Sequence, residues 1–581
     1  MKYQYKINNN ISSNTCNNIK KISHLKYTFL ISGIFFIGLI TGCNKQINLV
    51  SEDTITDATF WQNSNDFKLA ANNLYNGLPR FGFEDCESDI AFNFPNSVSN
   101  GTLQLSETSG QWTTSYDYIR ACNDIIARGS GFVKDTAIQR YVAEAQFFRA
   151  WYYWKIMEIY GGVPLISKVL PTDDTTLYTP RSSQAQTADF IINDLTQAAK
   201  NLPIQSDLSN PEIGRITSGA ALSLLARVAL YQGTWEEFRG QSGYDNYLKQ
   251  AANAAKTVMS SNQYALYTGS GNKSYWYLFV EAGDDSKECI LDRRYARGII
   301  GQDIPYQYDG SGYNPTKKLA DMYLDTTGLP ITNANSVFQG YATMTSEYRY
   351  RDPRMTMTMT VPGTLTNRVF YPVIKVANYP DKPQRNPNTG YILYKYMTDN
   401  LIANSSGSMG DASLFDFDKH IIRYAEVLLI YAEAEFELNG SISDADLDLS
   451  INKLRDRVGM PHLTNAFVAA HNLDMRTEIR RERTVELALE GFRYDDLRRW
   501  KTAETELAED IKGIKIKGST WQDYPLYSSQ DWQSRTDANG FLISETGRKF
   551  DPTKNYLQPL PTQEINLYQS AGHNLQQNPE W

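Results

Sequence analysis

Three glutamates at four-residue steps, Glu482, Glu486 and Glu490, would put their carboxylates on one face of any helix that carries them. Carboxylates grouped in this way are raw material for general acid/base chemistry. The same segment holds Arg480, Arg481, Arg483, Arg493, Arg498 and Arg499. Guanidiniums at that density convert a carboxylate row into an ion-pair and hydrogen-bond network, so the row reads as architecture and not as a catalytic face. Other enzyme signatures are missing. The chain has no HExxH and no G-x-S-x-G elbow, and Gly271-Asn272-Lys273-Ser274 lacks the glycine directly before lysine that a P-loop requires. His24, His420, His462, His471 and His573 are not spaced as a metal-ligand set. No catalytic residue, metal or cofactor is expected. A glycosidase needs only two carboxylates brought together in space, which keeps a surface-anchored glycan hydrolase as one alternative and a structural helical-repeat scaffold of the envelope as another.

Near the start, Lys20, Lys21 and Lys26 precede an apolar stretch from Tyr27 to Gly42 that runs into Cys43. The stretch is short of the roughly 20 apolar residues that span a bilayer. Small residues before a cysteine suit peptidase cleavage and thiol acylation, so residues 1–42 read as a lipoprotein signal peptide and Cys43 as the lipidated first residue of an exported chain. An uncut signal anchor is the competing reading. Cys86, Cys122 and Cys289 form an odd set without CxxC spacing and frame neither a disulfide scaffold nor a zinc site. A net charge of −8, with no long basic run after Cys43, gives no surface for phosphates; nucleic acid is not an expected partner. Aromatic residues are abundant (38 Tyr, 24 Phe, 10 Trp), many set among Asn, Gly, Ser and Asp. Such mixtures suit flat-faced ligands.

The elements that must position these residues are helical at both ends of the chain. Helical spacing of apolar residues predicts helices over Asp66–Leu78, Thr113–Arg128, Asp135–Tyr160, Thr187–Asn201, Thr217–Gln232, Tyr247–Ser260, Ile421–Asn439, Asp444–Arg457 and Met475–Glu490. Asp135 is a suitable N-cap, and Gly161-Gly162-Val163-Pro164 a firm stop. The aromatic run Trp151–Trp154 reads as core. Small residues recur at helix-crossing positions: Ala143 four before Phe147; Ala221, Leu225 and Ala229; Ala425 four before Leu429. Recurrence in several helices predicts tetratricopeptide-like stacking of helical hairpins. Between residues 262 and 419 the pattern dissolves into Gly/Asn/aromatic segments with short β-like runs such as Glu288–Leu291 and Arg368–Val376. Irregular chain of that length usually carries function. The division is then 43–261, a helical N-terminal part; 262–419, a loop-rich insertion and candidate ligand surface; and 420–581, a helical C-terminal part, with 43–581 expected to form one compact unit.

Several blocks resemble a known family. Ala143-Glu144-Ala145-Gln146-Phe147-Phe148-Arg149-Ala150-Trp151-Tyr152-Tyr153, running to Tyr160-Gly161-Gly162-Val163-Pro164-Leu165, resembles the signature helix of SusD/RagB nutrient-uptake lipoproteins. Arg423-Tyr424-Ala425-Glu426, Asn452-Lys453-Leu454-Arg455, Glu482-Arg483 through Arg499-Trp500, and the ending Gln577-Asn578-Pro579-Glu580-Trp581 follow in the family's order. The resemblance implies a mainly α fold of tetratricopeptide-like hairpins with long loop and short-β insertions. It further implies a non-catalytic lipoprotein held in the outer membrane by lipid on Cys43. Such a protein caps a SusC-like, TonB-dependent β-barrel transporter and captures oligosaccharides, or in some branches peptides, for import. Surface-exposed members often carry acids close behind the lipidated cysteine, whereas this chain reads Cys43-Asn44-Lys45-Gln46-Ile47 and its first acids are Glu52 and Asp53.

A ligand surface is expected on the irregular stretches around Phe81–Gln111 and Tyr275–Tyr313, where aromatics have no helical stripe to explain them. Sugar C–H faces stack on aromatic rings while hydroxyls take amide and carboxylate partners. Phe83, Asp89, Phe92, Asn93 and Phe94 form one candidate cluster, and Trp276, Tyr277, Tyr306, Tyr308 and Tyr313 the other.

Overall fold

Asp135 begins the longest helix by accepting backbone bonds from Ala137 (3.0 Å) and Ile138 (3.1 Å). Gly161 ends it in the left-handed region (φ 74°), and a Cβ on Gly162 would sit 1.9 Å from the Ser182 carbonyl oxygen. The structure, a computed structural model, describes residues 60–581 except 172–173, 297, 303, 306–307, 309–311, 364–365, 371–373, 380–387, 399–414 and 526. Residues 1–42, Cys43 and Tyr306 lie outside the described residues.

Helices α1 (Ser64–Leu74), α2 (Gly110–Gly129), α3 (Thr136–Tyr160), α4 (Gln184–Asn201), α5 (Ser218–Glu237) and α6 (Tyr244–Ser260) stack in sequence order from α2 onward, with α1 laid against α3. The run continues from α6 to the helix Tyr424–Asn439, and from there to Met475–Glu486. This is the mainly α, hairpin-repeat architecture the small-residue pattern predicts. Ala143, Phe147, Ala221, Ala229, Ala425 and Leu429 are all fully buried at the crossings. Helices α3 and Tyr424–Asn439 are apolar on nearly every side, so both are central to the stack, and Trp151–Trp154 is core. Across α3 and α4, Arg149 makes a two-pronged ion pair with Asp194 at 2.7 Å per bond.

A second core gathers the loop-rich segments. Tyr275, Trp276, Tyr308, Tyr313, Tyr323, Tyr391 and Phe417 pack with Val485, Leu489 and Ile514. The strands are short. Ala91–Phe92 pairs antiparallel with Asn314–Pro315, Cys289–Arg293 with Lys419–Arg423, and Ile511–Lys515 with Phe541–Glu545.

Several expected boundaries move for identifiable reasons. Residues 421–423 are strand, not helix, because β-branched Ile422 and its neighbour Arg423 pair across to Leu291 and Cys289 before the helix starts at Tyr424. The expected helix Asp444–Arg457 breaks at Ser450 (φ −130°, ψ −96°) into Asp444–Leu449 and Ile451–Val458. The run Arg368–Val376 is a hairpin of Thr366–Phe370 with Ile374–Tyr379. The helix expected to reach Glu490 ends at Glu486, with Leu489 at φ 65°. Among the described residues no helix is long and apolar enough to cross a membrane.

Candidate functional site

The glutamate row is a buried network, and its partners are mostly not the arginines next to it in sequence. Glu486 binds Arg457 (2.5 Å), Arg423 (2.7 Å) and Arg354 (3.0 Å); Glu482 binds Arg354 (2.7 Å) and Arg455 (2.9 Å). Glu490 binds Arg423 and Lys395, each at 2.7 Å. The neighbouring arginines turn elsewhere, Arg483 to Asp496, Arg493 to Asp89 and Arg499 to Glu433. Burial alone would raise the Glu486 carboxyl, but Arg457, Arg423 and Arg354 outweigh it and hold it well below the usual range. Glu482 and Glu490 are held low in the same way. Carboxylates locked in charge-assisted bonds have no proton to exchange with a substrate at neutral pH.

The open cleft lies just past this network, where the chain leaves α1 and turns. Phe81 anchors the turn by packing on Tyr295, Tyr396 and Phe417, with ring centroids 5.9, 5.7 and 5.7 Å away. Beyond it, Tyr308 donates to the Gly82 carbonyl and Tyr313 to the Glu84 carbonyl (2.6 Å). Asp85, at φ 61°, points its carboxylate at the backbone N–H groups of Gly491 (3.2 Å) and Arg493 (2.9 Å). Burial pushes its pKa up to about 7 even though those two N–H groups favour the anion. The far side of the turn is tied down by the Phe92–Asn314 strand pair and by Asn388, which donates to the Asn93 carbonyl. The result is a cleft of about 380 Å³, within the ~300–1,000 Å³ of ligand pockets. It is lined by Phe83, Asn93, Phe94 and Asn96 together with Glu84, Asp85 and Glu87 from the turn, by Lys155 from α3, and by Tyr494, Asp495 and Arg498 from the segment after Glu490. Phe83 is 39% exposed and Phe94 60%. The side-chain oxygens of Asn93 and Asn96 accept from Phe94 N and Val98 N, which orients both amides.

The structure brings parts of the two sequence-predicted clusters together and corrects others. Phe83 packs on Tyr313 (5.7 Å) and Tyr308 (6.1 Å), joining the clusters. Tyr308 and Tyr313 are 0% and 1% exposed, so they support the turn from beneath and present no face to a ligand. Trp276, 2% exposed, stacks on Tyr394 at 5.0 Å and donates its indole N–H to the Tyr394 carbonyl; it is core, because the short helix Ser274–Tyr277 points it inward. Tyr277 packs edge-on against that indole. Phe92 is buried in its strand, and Asp89 is committed to Arg493 by two 2.8 Å bonds. Phe83, Asn93 and Phe94 remain as cleft residues. The sequence reading missed Glu84, Asp85, Glu87, Lys155, Tyr494 and Arg498. The acid run directly follows Phe83 and was a usable signal, whereas Lys155, Tyr494 and Arg498 sit on helices whose pattern reads only as packing.

Cys289, Asp292 and His420 have ligand-type atoms within 4.8 Å of one another. His420 Nε2 faces the Leu278 carbonyl at 2.7 Å and Nδ1 faces Asp292 at 2.8 Å. Both ring nitrogens therefore donate to acceptors. Burial opposes the charge, but Cys289 and Asp292 outweigh it and raise the His420 pKa well above normal. An imidazolium already supplies the positive charge that a metal would bring, and the group reads as a buried ion pair within the Cys289–Arg293/Lys419–Arg423 sheet.

A helical-hairpin stack that carries a loop-built, aromatic-edged cleft is the class of protein this fold and site define. Residues 278–581 match the SusD family model, and residues 83–230 match a model described as "Starch-binding associating with outer membrane". The chain belongs to the SusD family. It is 25% identical over 549 residues to a SusD-like protein of Formosa agariphila, covering 87% of this chain and 96% of that one. A Bacteroides ovatus SusD-like protein is 26% identical over 482 residues, 80% of each chain. The crystal structure of a SusD-like carbohydrate binding protein from Bacteroides fragilis superposes with a TM-score of 0.71 at 26% identity, covering 88% of this chain and 99% of that one.

Proposed function

We propose that this protein is a cell-surface lipoprotein that captures oligosaccharides at the Phe83/Phe94 cleft and passes them to a SusC-like, TonB-dependent barrel for import. The observation that carries the reading is the exposed Phe83 and Phe94 pair beside the oriented Asn93 and Asn96 amides. Ring faces with amide groups alongside match the alternating C–H and hydroxyl surfaces of a sugar. Family membership and the carbohydrate-binding relative from Bacteroides fragilis support a glycan over a peptide. The carboxylate row, tied up in arginine pairs, supports capture without turnover. Saturable binding of an oligosaccharide, unchanged on recovery and weakened by Phe94→Ala, is the expected result. Consumption of the oligosaccharide would instead favour the hydrolase.

Membrane attachment is assigned to Cys43. Several acyl chains hold a protein stably where one does not, so Cys43→Ser should move the chain from the membrane to the soluble fraction. Retention in the membrane after that substitution, with the leader removed, would contradict the assignment. Purification in mild detergent should recover a large β-barrel with the wild-type chain.

A further inference from the structure

We propose that the protein carries a second site, a groove that takes the oxyanion of an acidic sugar or of free phosphate, and that it does so independently of glycan capture at the Phe83/Phe94 cleft. The helix Arg493–Arg499 serves both places with different faces. Tyr494, Asp495 and Arg498 line the cleft, whereas Arg493 and Leu497 line the groove. The helix Met475–Glu486 contributes Thr477, Arg480, Arg481 and Thr484, whose three- and four-residue steps put them on one face. The groove measures about 190 Å³, below the ~300–1,000 Å³ of ordinary ligand pockets, which suits an ion or a single ring better than a chain of sugars.

Hydrogen-bond donors without acceptors point to an anion. The Arg480 side chain is 17% exposed, and its guanidinium lies 4.7 Å from the centres of both the Phe238 and the Trp500 rings, which hold it in place. It makes no hydrogen bond among the described residues, and its Nε and Nη2 are buried. Glu437, 3.7 Å away, is taken up by Arg476 through three bonds of 2.7–3.0 Å. Burial pulls the Arg480 pKa down even with Glu433 and Glu437 nearby. Beside it Arg481, 18% exposed, gives only its Nε, to Glu478 at 3.2 and 3.3 Å; its two Nη groups have no partner among the described residues. Arg493 is satisfied by Asp89 and Thr484 and adds charge more than donors. The one carboxylate in the lining, Glu506, is paired with Lys318. Largely buried guanidiniums without acceptors are rare in native proteins. An oxyanion brings only acceptors and matches the guanidinium fork, whereas a neutral hydroxyl brings a donor with each acceptor and an ammonium group would meet three arginines.

The test is calorimetry and thermal melting of the full chain in detergent, with glucuronate and inorganic phosphate as probes, glucose as the neutral control and chloride at matched ionic strength as the reference. Glucuronate or phosphate should bind saturably and raise Tm with concentration, as a ligand of the folded state must. Tighter binding of glucuronate assigns the groove to sugar acids and tighter binding of phosphate to the free ion; either supports the site. Arg481→Gln should weaken the anion about tenfold, and Arg480→Gln should do the same; if the second fails to fold, the first decides alone. Lys249→Gln, an exposed lysine on α6, and Phe94→Ala in the cleft should bind the anion as the wild type does. Anion binding that survives Arg481→Gln unchanged in protein shown by circular dichroism to be folded would overturn the site. So would loss of anion binding in Phe94→Ala, which would move the anion to the cleft, or an effect of both anions no larger than that of chloride. None of these results bears on capture of neutral oligosaccharides, which Phe94→Ala tests separately.

Discussion

Glu482 and Glu486 lie buried, and Glu490 partly so, among Arg354, Arg423, Arg455, Arg457 and Lys395, every carboxylate held by at least two cations. One residue further on, Gly491 lines a cleft where neither Asp85 nor Glu87 has an ion pair among the described residues. Both groups are rich in acid and they share a stretch of backbone, yet they are built to opposite rules. In the first, guanidiniums overcome the cost of burial and the carboxyls are held low. In the second, burial wins and Asp85 rises to about 7. Pairing, more than acid content, separates a group that holds the fold from one that is free to meet a ligand.

The largest expected effect breaks the first group. Arg423 bridges Glu288, Glu486 and Glu490, and it sits where the Lys419–Arg423 strand runs into the helix Tyr424–Asn439. Arg423→Ala strands those carboxylates in the interior, at a cost of about 3–5 kcal/mol. Thermal melting should show a large loss of stability, or no folded protein. An unchanged melting temperature would mean that the network does not hold the two cores together.

The two groups should also answer pH with opposite signs. The network glutamates have folded pKa values below their unfolded ones, so their contribution is full above about 4.5 and fades as pH falls below it. Asp85 has a folded pKa near 7 and an unfolded one near 3.8, so in that window the unfolded chain binds fewer protons and stability falls as pH rises. Melting curves across pH should lose part of the acid slope in Glu486→Gln and part of the opposing slope between about 4 and 7 in Asp85→Asn. Slopes unchanged in both variants would contradict the assignment.

Smaller effects sharpen the contrast from the cleft side. Phe94→Ala removes an exposed ring, so melting should move little, by about 0.5 kcal/mol or less. Loss of a stacking anchor should weaken oligosaccharide binding by about 2 kcal/mol, a separation of binding from stability that Arg423→Ala cannot show.

The helical stack was legible in the sequence because its signals are local. Asp135, the Gly161-Gly162 stop and the small residues at Ala143, Ala221 and Ala425 each act within a turn or two of chain. The carboxylate row was legible as architecture, but its partners were not. Arg354 and Arg423 reach Glu486 from far away in sequence, and only the fold brings them there. The cleft was half legible: Phe83, Asn93 and Phe94 sit on the turn the sequence marks, whereas Trp276, Tyr308 and Tyr313 have the same composition and are drawn inward by the second core. Aromatic residues among Gly and Asn mark a loop-built core as readily as a loop-built site, and burial, a long-range property, decides between them.

The most direct test of glycan capture at this cleft is an array of defined oligosaccharides probed in parallel with the wild-type chain and with Phe83→Ala/Phe94→Ala. The account predicts retention of at least one oligosaccharide class by the wild type, intact on release, and its loss in a folded double variant. Equal retention by both proteins would place the ligand elsewhere and contradict the account.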